Sequence, residues 1–280
     1  MRVKGCDRLR GAAVIEQLFR RVPSLLDRKE GVGLIANVSD LLPESFLKDV
    51  FESLRTSPRF TSRQSYGELL TLIALRDDNH AWVAKRLDRE LANSQEFEKS
   101  EEPVAVGIAF AAANLWDESR SREDASRILC SLIPNATTRV SEAIGTVFWA
   151  KEDFAADEST ALLLRAFADH PDSLSGIRVF ELAEHLVALV PHYRVLIMDV
   201  CNALLTTSPD IGSLYDAGPR LVDIAMTLQR FDDTKSRALS LLEDLLRLGL
   251  DDAFRILSDI DIRPNASGVR EPRSRRRRRR

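Results

Sequence analysis

The stretch GPRLVDIAMTLQRFDDTKSRALSLLEDLLRLGLDDAFRILSDID, Gly218–Asp261, decides the fold, because its apolar residues recur at one spacing three times in succession. Leu221, Ile224, Ala225 and Leu228 stand at i, i+3, i+4 and i+7, and Ala238, Leu241, Leu242 and Leu245 repeat the pattern. That spacing places each set on one face of a helix. Between them, Asp232 and Asp233 supply an N-cap and a negative charge where the second helix has its positive dipole end. Gly249 marks the stop of that helix, and Asp251 opens a third carrying Ala253, Ile256, Leu257 and Ile260. The stretch holds no His, Cys or Trp, so it reads as a unit built to pack helices against one another.

The same paired unit is expected upstream, with helices over 61–76 and 79–94, 102–118 and 121–133, 137–153 and 157–169, and 176–190 and 192–206. Pairs start roughly 35 to 45 residues apart, the range of HEAT and armadillo arrays, where stacking completes a core no single pair can close. The fold class is therefore all-α, a HEAT/armadillo-like helical-repeat solenoid. Pro103, Pro134, Pro171, Pro191, Pro209 and Pro219 are expected at helix boundaries, since proline cannot donate inside a helix. Val104–Trp116 is apolar almost all round and predicts an inner helix. No alternating strand pattern is found.

Residues 1–57 read as three further helices, the first with an apolar face of Val14, Ile15, Leu18, Phe19 and Val22. The break at Thr56–Ser62 either separates a capping segment from the array over 58–263 or is one more inter-helix loop. Residues 264–280 have almost no apolar content and are expected to be disordered.

The chain carries a net charge of −3, with +7 concentrated after Val269 and −10 left for residues 1–269. An acidic body repels phosphate backbones, so nucleic-acid affinity is expected to reside in the tail, through Arg273, Arg275, Arg276, Arg277, Arg278, Arg279 and Arg280. Cys6, Cys130 and Cys201 show no CxxC spacing and imply a reducing compartment. The N-terminus has no signal-peptide core, and the longest apolar run, Val104–Ala113, is half of the ~20 residues that span a bilayer. A cytoplasmic protein without a membrane segment is the expectation.

Reactive constellations are not evident. Gly31–Ala36, GVGLIA, fits the dinucleotide pattern G-x-G-x-x-A but follows LLDRKE, which is no buried strand. The four histidines form no ligand set, and His170 is expected to cap a helix C-terminus. The doublets Asp77-Asp78, Glu101-Glu102, Asp232-Asp233 and Asp251-Asp252 all fall at helix boundaries, where capping accounts for them. Trp82, Trp116 and Trp149 either pack in the core, the favoured reading, or line a groove. No catalytic residue, cofactor or metal is expected.

In its leucine-rich helix pair, acidic linker and closing helix, Leu221–Asp261 resembles the C-terminal end of the large bacterial STAND (NACHT-type) ATPases, whose helical arrays sense a ligand or partner. Such proteins carry an ATPase core upstream, which this chain lacks, so the resemblance implies a detached sensor part, a truncated reading frame or a stand-alone relative. The expected function is a non-catalytic protein-binding or sensor module, with Val14, Leu18, Phe19 and Val22 as candidate partner surface. The alternative is a nucleic-acid-associated protein anchored by its arginines; an enzyme on a helical array is a third, weaker reading.

Overall fold

The computed structural model describes residues 2–76, 80–93, 101–118, 120–149, 154–207 and 211–250. Among these residues there is no strand; the chain runs through α1 (Arg2–Arg21), α2 (Lys29–Val38), α3 (Glu44–Thr56), α4 (Phe60–Arg76), α5 (Ala81–Asn93) and α6 (Glu102–Leu115). It continues through α7 (Arg122–Leu132), α8 (Thr138–Gly145), α9 (Glu158–Asp169), α10 (Val179–Thr207), α11 (Ile211–Leu228) and α12 (Lys235–Arg247). Boundaries follow local chemistry. Pro103 sits in the first turn of α6, whose N-cap is Glu101. The Asp157 carboxylate accepts from the Thr160 N–H at 2.9 Å to cap α9. Gly249 follows α12 at φ 85°, the left-handed stop that a side chain would disfavour.

Packing links helices two places apart in sequence. In one row α2 contacts α4, α4 contacts α6 and α6 contacts α8; in the other α5 contacts α7 and α7 contacts α9. A single apolar core threads the whole set, from Ala12 to Leu250. Eleven of the fourteen residues of α6 are buried, as an inner helix requires. Its contact with α4 is the most extensive between any two helices, and glycine makes it possible. A Cβ on Gly67 would fall on the Val104 carbonyl oxygen, and one on Gly107 would fall on that of Gln64. Each helix thus lays its backbone against the other's at a position where only hydrogen fits.

Two expectations need correction. The helix expected over 137–153 ends at Gly145 and tightens into a 3-10 turn, Thr146–Phe148, before Trp149 turns extended at ψ 132°. Pro191 stands near a break as expected: within α10 two helical segments meet without a loop across a kink at Tyr193, whose backbone is non-helical (φ −134°, ψ 42°). Pro219 lies well inside α11 rather than at its start. Its ring leaves the Tyr215 carbonyl without an intrahelical donor, and both Tyr215 and Pro219 are on the exposed face, where water can satisfy that oxygen.

Because it runs through Pro191, α10 has 29 residues and a mean hydropathy of 1.3, and is the one described helix long and apolar enough to cross a bilayer. It serves as a core element, kinked in the middle and packed on α9 and α11. Pro209, Asp77-Asp78, Asp251-Asp252, the third helix of the 218–261 stretch and the tail lie outside the described residues.

Candidate functional site

Helices α3 and α5 both pack on α4 and meet each other through side chains, Phe51 on Trp82 and Arg55 on Glu90. Between them opens a cleft of about 480 Å³ lined by Glu52 and Arg55 from α3 and by Trp82, Lys85, Arg86, Arg89 and Glu90 from α5. Helical spacing explains the lining. Val83, Leu87 and Leu91 point into the core, so Trp82, Lys85, Arg86 and Arg89, at i, i+3, i+4 and i+7, share an outer stripe. Likewise α3 buries Phe46, Leu47, Val50, Phe51 and Leu54 and turns Glu52 and Arg55 outward.

The cleft rests on a buried polar network. Tyr66 of α4, fully enclosed, donates its hydroxyl to Glu90 Oε1 at 2.8 Å and accepts from Arg86 Nε at 2.7 Å. Arg55 Nε reaches the same Glu90 oxygen at 3.2 Å, and Arg86 reaches Glu52 at 3.6 Å. Burial, reinforced by the adjacent Glu90 carboxylate, pushes the Tyr66 phenol well above its ordinary range, while Arg86 opposes the shift. Tyr66 is thus a fixed donor, and its proton is not available for exchange chemistry at neutral pH.

What the cleft offers to a visitor is hydrogen-bond donors. Lys85 and Arg89, both exposed, form no ion pair among the described residues. The Trp82 indole N–H is buried without an acceptor. The ring is held edge-on to Phe51 at 5.6 Å, with the Lys48 ammonium 5.4 Å from its centre. Four cations face two carboxylates, so the lining carries a surplus of two positive charges in a body that is otherwise acidic.

A second cleft of about 430 Å³ lies between α9, α10 and α12. Its charges, Arg165, Asp169, Asp199 and Arg237, are balanced, and Asp199 pairs with Arg237. It joins elements and offers no charge surplus.

On α1 the structure divides the face that the sequence marks as a candidate partner surface. Phe19 is 3% exposed and packs inward with Ala12, beside the half-buried Ile15. Val14 (64% exposed), Leu18 (40%) and Val22 (40%) form a separate ridge, four residues apart, turned to solvent. Phe19 is therefore corrected from partner surface to core: residues 12 and 19 share a face that 14, 18 and 22 do not. The tail arginines 273 and 275–280 lie outside the described residues.

Tryptophans split as well. Trp116 is wholly buried, stacked on Phe154 at 5.7 Å and capped by the Arg122 guanidinium at 4.7 Å. Trp82 lines the cleft, and Trp149 is 40% exposed beneath Arg178 at 4.6 Å. The core reading fails for Trp149, while Trp82 packs against the core and also lines the cleft. Histidines serve the scaffold: His80 and His185 hold the Ser39 and Phe148 carbonyls at 2.9 and 3.0 Å, and His170 is the C-cap of α9. GVGLIA lies wholly within α2, not between a strand and a helix; a Cβ on Gly31 would fall on the Leu25 carbonyl, so the glycine serves packing.

Lys85, Arg86 and Arg89 are not among the residues that the sequence pattern singles out, although WVAKRLDRE carries their stripe openly. Arg55 and Tyr66, which join it in space, come from other helices and leave no signal at short range. Comparisons with protein families, with curated proteins and with solved structures find no match to this chain.

Proposed function

We propose that the chain is a HEAT-like helical-repeat module that binds a protein partner without catalysis, acting as a sensor or scaffold in the cytoplasm, as the likeness of its last repeats to bacterial STAND ATPases suggests. The observation that carries this reading is the cleft between α3 and α5, whose exposed Lys85 and Arg89 are donors fit for recognition. Its reactive-looking members are already engaged with one another. The two-row stacking supports an array, because such modules present grooves between successive helices of one row. The apolar ridge Val14, Leu18 and Val22 is a second surface for the same partner.

Site-specific photo-crosslinking tests the proposal. A photoreactive residue at position 85 is expected to trap a protein partner in cells, with the yield lost on Arg89→Glu, whereas the same probe at position 127, on α7, does not trap it. Equal trapping from both positions would remove the cleft from the function.

The hexa-arginine run supports a second reading, nucleic-acid association through Arg273 and Arg275–Arg280. If about six arginines each neutralise a phosphate, log affinity for duplex DNA falls against log salt with a slope near −5. Deleting 264–280 should abolish that binding and leave the melting temperature unchanged; undiminished binding would place the contacts on the folded body.

A further inference from the structure

We infer that the α3–α5 cleft recognises a phosphate monoester dianion carried on a phosphorylated segment of the partner protein. The inference rests on the protein-binding reading above and names its chemistry.

Charge selects the class of ligand. Arg55, Lys85, Arg86 and Arg89 meet only Glu52 and Glu90 in the lining, which leaves two positive charges without partners among the described residues. The network assigns them. Arg55 is spent on Glu90, and Arg86 on Tyr66 and Glu52. Lys85 and Arg89 remain, one helical turn apart on the same stripe, where i and i+4 side chains reach a common point. A carboxylate brings one charge and leaves one cation over. A phosphate monoester brings about −1.5 to −2 and three acceptor oxygens. Its oxygens match the exposed donors present, an ammonium and a guanidinium that pairs in fork geometry.

The shape of the charge favours a single compact group over a polymer. A nucleic-acid backbone needs a continuous positive track, and here Glu52 and Glu90 stand in the walls of the cleft while the body around it is acidic. A peptide also suits the half-buried Trp82 ring, which offers an apolar face beside the cationic pair. The buried Tyr66–Glu90–Arg86 network forms the fixed floor of the cleft and ties Arg86 and Glu90 away from the ligand.

The experiment titrates the full chain with five probes: a phosphoserine peptide, the same peptide unphosphorylated, its Ser→Glu form, inorganic phosphate and single-stranded oligothymidylate. Binding is read by calorimetry and by the Trp82 indole N–H resonance. The expected result is saturable binding of the phosphopeptide, at least about tenfold tighter than the Glu form, and a shift of the Trp82 signal. Lys85→Gln with Arg89→Gln should weaken it by about tenfold or more without changing the melting temperature, because both side chains are exposed. Arg127→Gln, on α7, is the control and should bind as wild type.

Inorganic phosphate matching the phosphopeptide would overturn the peptide source in favour of a free phosphate metabolite. Equal binding of the Glu and phosphorylated forms would overturn phosphate recognition while leaving the protein-binding reading intact. Oligothymidylate binding that is lost in the double variant would overturn both, and phosphopeptide binding unaffected by the double variant would place the site elsewhere. The absence of saturable binding by any phosphorylated probe would also overturn the inference.

Discussion

At Asp157 one residue joins three elements, and the titration of its carboxylate can be followed. Its carboxylate caps α9 through the Thr160 N–H, pairs with Arg122 Nε of α7 at 2.7 Å, and its backbone carbonyl accepts the Tyr193 hydroxyl at the kink of α10 at 2.8 Å. Burial alone would raise its pKa, but the Thr160 hydrogen bonds and the Arg122 guanidinium outweigh that and hold it below the ordinary carboxylate value. A depressed folded pKa contributes stability that is present above the unfolded value, about 3.9, and is lost as pH falls through the folded one. Asp157→Ala removes cap and charge together and should cost about 1–2 kcal/mol at pH 7. Asp157→Asn keeps a capping oxygen and, with the pair partly exposed, should cost under about 1 kcal/mol. In urea melts the gap between wild type and Asp157→Asn should close below about pH 4; a gap that widens in acid would reverse the assignment. A second residue-scale contrast is Cys201, whose enclosure pushes its thiol up to about 12 and keeps it inert.

Helices are where sequence and structure agree best, because the repeat of apolar residues is a local signal. Leu221, Ile224, Ala225 and Leu228 are all buried in α11, and Ala238, Leu241, Leu242 and Leu245 in α12, as their spacing requires. Proline is the weaker guide: its cost depends on whether the freed carbonyl meets water, and exposure at Tyr215 is a tertiary fact. The α4–α6 crossing is also hidden, since Gly67 and Gly107 carry no pattern until the two helices are laid together. Gly67→Ala or Gly107→Ala must push the two backbones apart and should cost about 3 kcal/mol or more. Gly33→Ala is the control. In α2 a Cβ at Gly33 meets nothing within 4 Å, so alanine should stabilise by about 0.5–1 kcal/mol through its better helix propensity. Thermal melts of the three variants separate close approach from helix propensity; equal effects at all three positions would show that the crossing is looser than the backbone contact implies.

For the molecule as a whole, the cleft and the first helix are the parts least legible in the sequence, and for one reason: each is defined by how far its neighbours cover a helix face. Around the cleft the backbones of α3 and α5 stay apart while side chains, Arg55 with Glu90 and Arg86 with Glu52, bridge them, a spacing that no short-range pattern records. On α1, amphipathic spacing marks Val14, Ile15, Leu18, Phe19 and Val22 as one face, but the neighbours cover only part of it. Phe19 reaches the core, and Arg20 of the same helix lies over the Phe46 ring of α3 at 5.3 Å, fastening α1 to the rest. Among the described residues Val14, Leu18 and Val22 stay partly exposed, an apolar ridge at one end of the core. Single substitutions now separate what a combined change would confuse. Phe19→Lys places a charge where 3% of the side chain is exposed and should cost about 3 kcal/mol or more. Leu18→Lys, at 40% exposure, should alter the melting temperature little. If the ridge is a contact surface, wild type should show concentration-dependent association by light scattering that Val14→Lys with Leu18→Lys removes while the fold melts as before. A wild type that stays monomeric at all concentrations would exclude self-association and leave the ridge to another protein, and a Leu18→Lys variant that unfolds like Phe19→Lys would show that α1 packs more deeply than its exposure indicates.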